Sequence, residues 1–517
     1  MIIRRSQALQ VRREAAALAF QRQPPAHINN GEEADYRSAA NQLSYIANFS
    51  KGLHHNALGE VVPEDYRALL HAIDSQQPQD FEAMPQGVAV NAQKFTSPQA
   101  GLSFDLEGPD SHSVTLPPAP RIDSAEMAAE MAELYWMALL RDVNFTDYLP
   151  ATLIVAQTAA SMSAFSGFTG PKIGGVVTPE SLFRGFTPGD LIGPYISQFL
   201  LQPIKYGTLR FTQRQQTAMA GKDYMMDFAS WLDIQNGAQP ASGDVFDPTR
   251  RYIRNGRDMA TYVHFDQLYE AYLNACLYLL SINAPFDPGN PYTDSKNQKG
   301  FATFGGPHIL SLVTEVATRA LKAVWYQKWF VHRRLRPEAF GGLVHNQVKG
   351  AAQYPLHPDM LATGPGTILD RIHTHNLAGG NDTYLLPMAF PEGSPTHPAY
   401  GAGHATVAGA CTTILKAWFD ESFVLSNPVV PNATGTALVA YGGPGFDKLT
   451  VSGELNKVAA NVAIGRNMGG VHWRSDYTES LKLGEAVAIG ILQEQKLCYN
   501  EYQSMSVTKF DGTMVKV

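Results

Sequence analysis

The chain has 517 residues, 44% hydrophobic and 17% charged, which is typical of a well-buried globular protein and excludes a disordered or fibrous one. A formal net charge of −7 argues against nucleic acid as a general partner. No run approaches the ~20 apolar residues that span a bilayer, and residues 1–23 lack the apolar core of a signal peptide. We therefore expect a soluble protein with no membrane partner, in a compartment that the sequence does not specify.

The chain is predicted to be mainly α, a large helical bundle with few short strands. Residues 1–60 are predicted to form an N-terminal arm that packs on a neighbouring subunit, and residues 61–517 to form a single helical domain. Asp123 and Glu126 have the spacing of a capping box before the first long helical pattern. Apolar residues recur at helical spacing again over 258–283, which predicts one long amphipathic helix.

The segment after that helix is rich in proline and in oxygen-bearing side chains, which predicts a loop. A calcium ion is one alternative there, because carboxylate and amide oxygens are the ligands that calcium prefers. The oxygens do not have the spacing of the twelve-residue calcium loop, so a solvated turn is the favoured interpretation. The candidate ligands are Asp287, Asn290, Asp294, Asn297 and Gln298.

The region 308–335 has an apolar stripe at helical spacing and ends in a basic run. Lys328 falls on the apolar face, where a buried lysine requires an anionic partner. A proline ends the helix and leaves Arg336 at or beyond its last turn. Arg333 and Arg334 are better explained as a solvated basic run.

Residues 394–419 are the stretch around which the chain is predicted to be organised: prolines and glycines give way to a helical pattern at about Gly403. The start of a helix presents unpaired N–H groups and the positive end of its dipole, so this junction is a candidate anion site. His404 falls in the first turn of the helix. An ordinary loop-to-helix junction with a solvent-facing histidine is the alternative.

A helix is predicted over 454–466, followed by a glycine turn that contains His472 and then by another long helix. Arg466 ends the first of these helices, and Asp476 lies four residues after His472. Together with Lys328, Arg336 and the helix start at Gly403, these residues make a donor set suited to a tetrahedral or trigonal oxyanion.

Three segments carry a more specific signal, namely residues 328–337, 395–404 and 466–472. They resemble the three-part signature of the vanadium-dependent haloperoxidases and the related acid and lipid phosphatases of the type 2 phosphatidic acid phosphatase superfamily. That signature has a lysine and an Arg-Pro pair, then Pro-Ser-Gly-His, then an arginine six residues before a histidine. The resemblance to the red-algal and cyanobacterial bromoperoxidases covers most of the chain, including residues 48–53, 254–258 and 337–342.

The resemblance implies a vanadate cofactor and a site within residues 308–480. The residues implied to hold the vanadate oxygens are Lys328, Arg336, Ala402, Gly403 and Arg466. His472 would be the protein ligand to vanadium, with its other ring nitrogen bonded to Asp476. Lys328 would polarise the oxidant, and His404 would be the acid–base group at the opposite apical oxygen.

Two further residues, His397 and Asp266, are predicted to take part in the site. His397, seven residues before His404, is typical of the bromoperoxidase branch of the family. Asp266 is a candidate carboxylate partner for one of the site arginines. Ala402 stands where the family has serine, so one hydroxyl donor is missing, and we expect weaker cofactor retention or an altered halide preference.

The implied activity is oxidation of bromide, and also of iodide but poorly of chloride, by hydrogen peroxide to an oxidant at the level of a hypohalous acid. That oxidant would halogenate small organic substrates, without haem or flavin. A homo-oligomer, up to a dodecamer, and a structural calcium ion are implied by the same relatives. The alternatives are an acid phosphatase in which His472 forms a phosphohistidine, and a non-enzymatic shell-forming protein that lost catalysis along with the serine.

Overall fold

The structure of the protein, a computed structural model, describes residues 2–517. Over these residues it is mainly α-helical, as predicted, and its strands form three short antiparallel hairpins. The α-helices are α1 (Ile2–Gln21), α2 (Glu32–Asp35), α3 (Pro63–Ser75), α4 (Pro78–Glu82), α5 (Ala125–Leu139), α6 (Leu153–Ala164), α7 (Phe228–Gln235), α8 (Gly256–Phe265), α9 (Glu270–Ser281), α10 (Gly306–Tyr326), α11 (Pro337–Val348), α12 (Ile368–Ala378), α13 (Gly403–Trp418), α14 (Val451–Met468) and α15 (Arg474–Gln495). The hairpins pair β1 (Ile204–Tyr206) with β2 (Leu209–Phe211), β3 (Val429–Pro431) with β4 (Leu438–Ala440), and β5 (Ser506–Thr508) with β6 (Met514–Lys516).

Helix α13 is the centre of the C-terminal half and packs against α10, α14 and α15. All its residues are buried except His404. Glycines allow the close approach of α13 and α15, because a Cβ at Gly409 would overlap the carbonyl oxygen of Leu481. A Cβ at Gly484 would likewise overlap the carbonyl oxygen of Thr406. The two helices are therefore in backbone contact next to His404.

The structure corrects two predicted elements. The single helix predicted over 258–283 is two helices, α8 and α9, because the backbone at Asp266 is extended (φ −63°, ψ 149°) and ends α8. The cap of α5 is Ser124, whose hydroxyl accepts the amide of Met127 at 3.1 Å, and not Asp123. The first difference matters for function, since it turns the Asp266 carboxylate out of the helix.

The helix predicted over 308–335 is also different in its last turns. Helix α10 ends at Tyr326, and residues Gln327–His332 form a wider π-helical turn that closes with Arg333 in the left-handed region (φ 43°). Single π turns of this kind are frequent at functional sites. Lys328 lies in this turn and is fully buried, as predicted.

The glycine turn between α14 and α15 is present as predicted, and it places His472 immediately before α15. The N-terminal arm begins with α1, a twenty-residue helix that is exposed along most of its length. None of the helices that the structure describes is long and apolar enough to cross a membrane.

Candidate active site

The predicted cationic and imidazole side chains meet at one buried place, with Arg336 at its centre. Arg336 Nη1 is 3.0 Å from Nε2 of His472, and its Nη2 is 2.9 Å from Nδ1 of His397. Burial is the largest effect that lowers the pKa of His472. The charges of Arg336, Lys328 and Arg466 lower it further, which shows that all three cations surround this imidazole.

Lys328 enters this place from the π-helical turn. Its Nζ donates to the carbonyl oxygens of Pro398 at 2.7 Å and Ala399 at 3.1 Å. An ammonium has three N–H donors, so among the described residues one donor remains for a ligand. Burial, and then the charge of Arg336, hold the pKa of Lys328 well below its usual range.

His472 is held by the first turn of α15. Its Nδ1 is 2.8 Å from Oδ2 of Asp476, whose other oxygen accepts from Arg334 at 2.8 Å. The carboxylate accepts a hydrogen bond from Nδ1–H, which leaves Nε2 unprotonated, with its lone pair turned toward Arg336 Nη1. Burial keeps the imidazole neutral by lowering its pKa, so Nε2 has the form required of a metal ligand or a nucleophile.

His404 lies in the first turn of α13, with 15% of its side chain exposed. Its Nε2 is 2.9 Å from Oδ1 of Asp266. The carboxylate was predicted as a partner for a site arginine; it hydrogen-bonds to His404, and its charge offsets part of the lowering of the Arg466 pKa that burial causes. Arg466 of α14 contacts the last turn of α8, where its Nη1 donates to the carbonyl oxygen of Val263 at 2.7 Å.

Comparison with known proteins places this geometry in a family. A family model described as the VCPO second helical-bundle domain matches residues 375–501. A vanadium-dependent bromoperoxidase of Corallina pilulifera is 42% identical over 97% of this chain and 96% of its own length. The chain belongs to the vanadium-dependent bromoperoxidase family.

Other members of the family agree along the whole chain. The vanadium-dependent bromoperoxidase of Ascophyllum nodosum is 36% identical over 95% of this chain and 88% of its own length. The homohexameric structure of the second vanadate-dependent bromoperoxidase of that organism superposes with a TM-score of 0.94 at 32% identity. That superposition covers 99% of this chain and 90% of the other.

The donor set fits the vanadate that this family implies. Lys328, Arg336 and Arg466 are buried, and burial lowers the pKa of Arg336 to about 9 and that of Arg466 to about 10. The carboxylate of Asp476 pairs with Arg334, and none of the three cations makes a direct ion pair with a carboxylate of the described residues. In the described part of the chain, Arg466 Nε is buried without a hydrogen-bond partner. An oxyanion would satisfy both the charge and this donor.

Two backbone amides at the start of α13 differ in whether a neighbouring group already accepts their hydrogen bond. The amide of Ala402 donates to Oγ of Ser480 at 2.8 Å, so it is already engaged, and the amide of Gly403 at the first helical position is the better donor for an anion. A Cβ at Gly403 would lie 3.2 Å from the ring of Trp325, which is half-buried and 4.8 Å from the ring of His397. Trp325 therefore forms a wall of the site that the sequence showed only as part of an apolar stripe.

The prediction that Arg333 and Arg334 form a solvated run is wrong. Arg334 is buried between Asp476 and Glu130, at 2.8 and 2.9 Å. Arg333 pairs with Glu33 of the N-terminal arm. These carboxylates are remote in sequence, so no local pattern could reveal them. Sequence reasoning missed that Arg334 holds the carboxylate of Asp476, which in turn contacts His472.

The calcium alternative at 287–298 receives no support from the geometry. Asp287 Oδ1 and Asn290 Oδ1 each accept the amide two residues further on, at 2.6 and 3.0 Å, as in ordinary turns. The other candidate ligands are exposed, namely Asp294, Asn297 and Gln298. Within residues 2–517 there is no cluster of three or more His, Cys, Asp or Glu side chains that could hold a metal ion.

Proposed function

We propose that this chain oxidises bromide with hydrogen peroxide, using vanadate held by Lys328, Arg336, Arg466, the Gly403 amide and His472. The observation that carries the proposal is the neutral His472 Nε2 facing buried cations that, within the described residues, make no direct ion pair with a carboxylate. We expect iodide to be oxidised as well and chloride poorly.

Bound vanadate would act as a Lewis acid that activates peroxide without a change in the oxidation state of the metal. The chain itself supplies charge neutralisation and proton transfer. The remaining N–H of Lys328 can donate to an oxygen atom bound in the site and draw electron density from it. His404, with Asp266 on its Nε2, can give or take a proton at Nδ1. His397 and Trp325 limit the space beside these groups.

We propose that small organic substrates approach the site from a neighbouring cavity. A cavity of about 500 Å³ includes Asp266 in its lining, and the phenyl rings of Phe211, Phe246 and Phe265 form part of its walls. Its lining joins apolar rings to carboxylate and amide groups, which suits a small amphipathic molecule. Substrate that enters here would come next to the pair of Asp266 and His404.

We further propose a homo-oligomer in which α1 and the rest of the arm 1–60 pack on a neighbouring subunit, while residues 61–517 act as one domain. The homohexameric relative from Ascophyllum nodosum and the exposed apolar side chains of α1 support this proposal. The proposed homo-oligomer has up to twelve subunits. Calcium is not part of the proposed site, because the oxygens of Asp287 and Asn290 serve their own turns.

The test is reconstitution of metal-free protein with vanadate, followed by peroxide and bromide, with bromination of a phenol dye as the readout. Bromination should require vanadate and should vanish in His472→Ala. It should persist in His71→Ala, which removes an imidazole that is 72% exposed. Hydrolysis of phosphate esters without vanadate, and no bromination with it, would instead identify the phosphatase alternative.

A further inference from the structure

Ser480 is a fully buried hydroxyl in α15 that reaches the loop before α13. Its Oγ accepts the amide of Ala402 at 2.8 Å. It lies one helical turn after Asp476, the residue that holds His472. The same face of α15 therefore carries Asp476, which contacts His472, and Ser480, which contacts the loop before α13.

The contact is built into the loop from two sides. A Cβ at Gly401 would overlap Ser480 Oγ, so the hydroxyl can reach the Ala402 amide only because position 401 is glycine. On the other side, Thr406 Oγ1 donates to the carbonyl oxygen of Ala402 at 2.9 Å. Both backbone groups of Ala402 are thus engaged, which fixes the peptide that leads into Gly403.

The position of the loop relative to His472 follows from helix packing. Helices α13 and α15 are in backbone contact at Gly409 and Gly484. Closely packed helices move as a unit, because separation would open a cavity between them. Ser480 thereby ties the Gly403 amide to the helix that also sets the position of His472 Nε2.

We propose that Ser480 is a positioning residue for oxyanion binding, which compensates from α15 for the hydroxyl that the family motif carries at position 402. The hydroxyl engages the Ala402 amide and so aims the neighbouring Gly403 amide at the oxyanion. This inference rests on the proposed function, since it assumes that the anion is vanadate.

The test is vanadate binding to metal-free protein by calorimetry and by ⁵¹V NMR, in wild type, Ser480→Ala, Ala402→Ser and the double variant. Ser480→Ala should bind vanadate about tenfold more weakly, because it leaves a buried amide without its acceptor. Ala402→Ser alone should change the affinity by less than threefold. The double variant should regain most of the loss, because the serine at 402 restores a donor directly.

Thr406→Val is the matched control, since it removes only the side-chain hydrogen bond to the Ala402 carbonyl oxygen, which still accepts from the amide of residue 406 at 2.9 Å. It should lower the melting temperature about as much as Ser480→Ala and leave vanadate affinity within twofold of wild type. Equal weakening in the two variants, or no recovery in the double variant, would overturn the role of Ser480 while vanadate binding by wild type still supports the proposed function. If wild type binds no vanadate, the proposed function and this inference both fail.

Discussion

The carboxylate of Asp476 decides which nitrogen of His472 carries the proton. It accepts at 2.8 Å from the imidazole and at 2.8 Å from Arg334, and it is fully buried. An amide at this position can donate instead of accept, which would move the imidazole proton to Nε2 and block the ligand atom. The ring would then still be present but in the wrong tautomer.

We expect Asp476→Asn to weaken vanadate binding by about 10- to 100-fold, the usual effect of losing the partner of a metal-bound histidine. Titration of metal-free protein with vanadate measures this directly. Glu479→Gln is the control, because Glu479 is on the same helix but pairs with the exposed Lys482. Wild-type affinity in Asp476→Asn would contradict the assignment of His472 Nε2 as the ligand.

His332 predicts how the stability of the protein depends on pH. It is 5% exposed, packs edge-on against Tyr400, and within residues 2–517 neither ring nitrogen has a hydrogen-bond partner. Burial lowers its pKa from 6.5 to about 3. The unfolded chain therefore binds a proton that the folded chain excludes, so the stabilisation is fully present above about pH 6.5 and is lost as the pH falls toward 3.

In that range His332 should cost about 1.4 kcal/mol of stability for each pH unit below 6.5. His332→Phe keeps a ring against Tyr400 and removes the titrating group, so its free energy of unfolding should fall less steeply on acidification. Urea unfolding at pH 5 and pH 7.5 gives the comparison. Other histidines whose pKa is lowered by burial, such as His55 and His345, contribute the same pH dependence of stability in both proteins. Parallel pH dependence in wild type and variant would refute this role.

At the scale of helices, the contact between α13 and α15 is the most demanding packing next to the site. A Cβ at Gly484 would overlap the carbonyl oxygen of Thr406, which is backbone and cannot rotate away. Gly484→Ala must therefore separate the helices, and we expect a loss of about 3 kcal/mol or more in unfolding free energy together with weaker vanadate binding.

Gly306→Ala is the matched control for this substitution. Gly306 is also helical, and among the described atoms nothing lies within 4 Å of where its Cβ would be. Because Gly306 begins α10 and precedes a proline, alanine should change the unfolding free energy by less than about 1 kcal/mol. Denaturant unfolding of both variants checks the difference. Similar stability of the two would mean that α13 and α15 do not rely on this close contact.

Local pattern was enough to predict α13, α14 and α15, because small or apolar residues recur at helical spacing and the glycines at 469 and 470 separate α14 from α15. It also predicted the buried Lys328, since three-residue spacing from Trp325 fixes its face. The break at Asp266 was not predicted, because apolar residues continue at helical spacing across it, and the hydrogen bond of its carboxylate to His404 joins residues remote in sequence. The burial of Arg334 escaped prediction for the same reason, as Glu130 supplies the charge.

At the scale of the whole molecule, a net charge of −7 coexists with a buried group of cations. The acidic side chains are mostly paired or exposed elsewhere, so the positive charge at Lys328, Arg336 and Arg466 is a property of the cavity and not of the surface. Family membership extends over the full length of the chain, yet the N-terminal helix packs on little of its own subunit. Variants of that helix can therefore test how the subunits assemble without changing the residues of the site.

Helix α1 exposes large apolar side chains that a monomer would leave in water, including Leu9 at 51% and Phe20 at 91%. Removal of residues 2–21 should lower the mass of the assembly in light scattering and leave vanadate binding within about twofold, because the site lies wholly beyond residue 300 apart from Asp266. The full-length variant Leu9→Ser/Phe20→Ser should have the same effect on mass, whereas Arg13→Ser, also exposed, should not. An unchanged mass in the truncated protein would show that the subunits assemble through another surface. Loss of vanadate binding along with mass would instead mean that the neighbouring subunit supports the site.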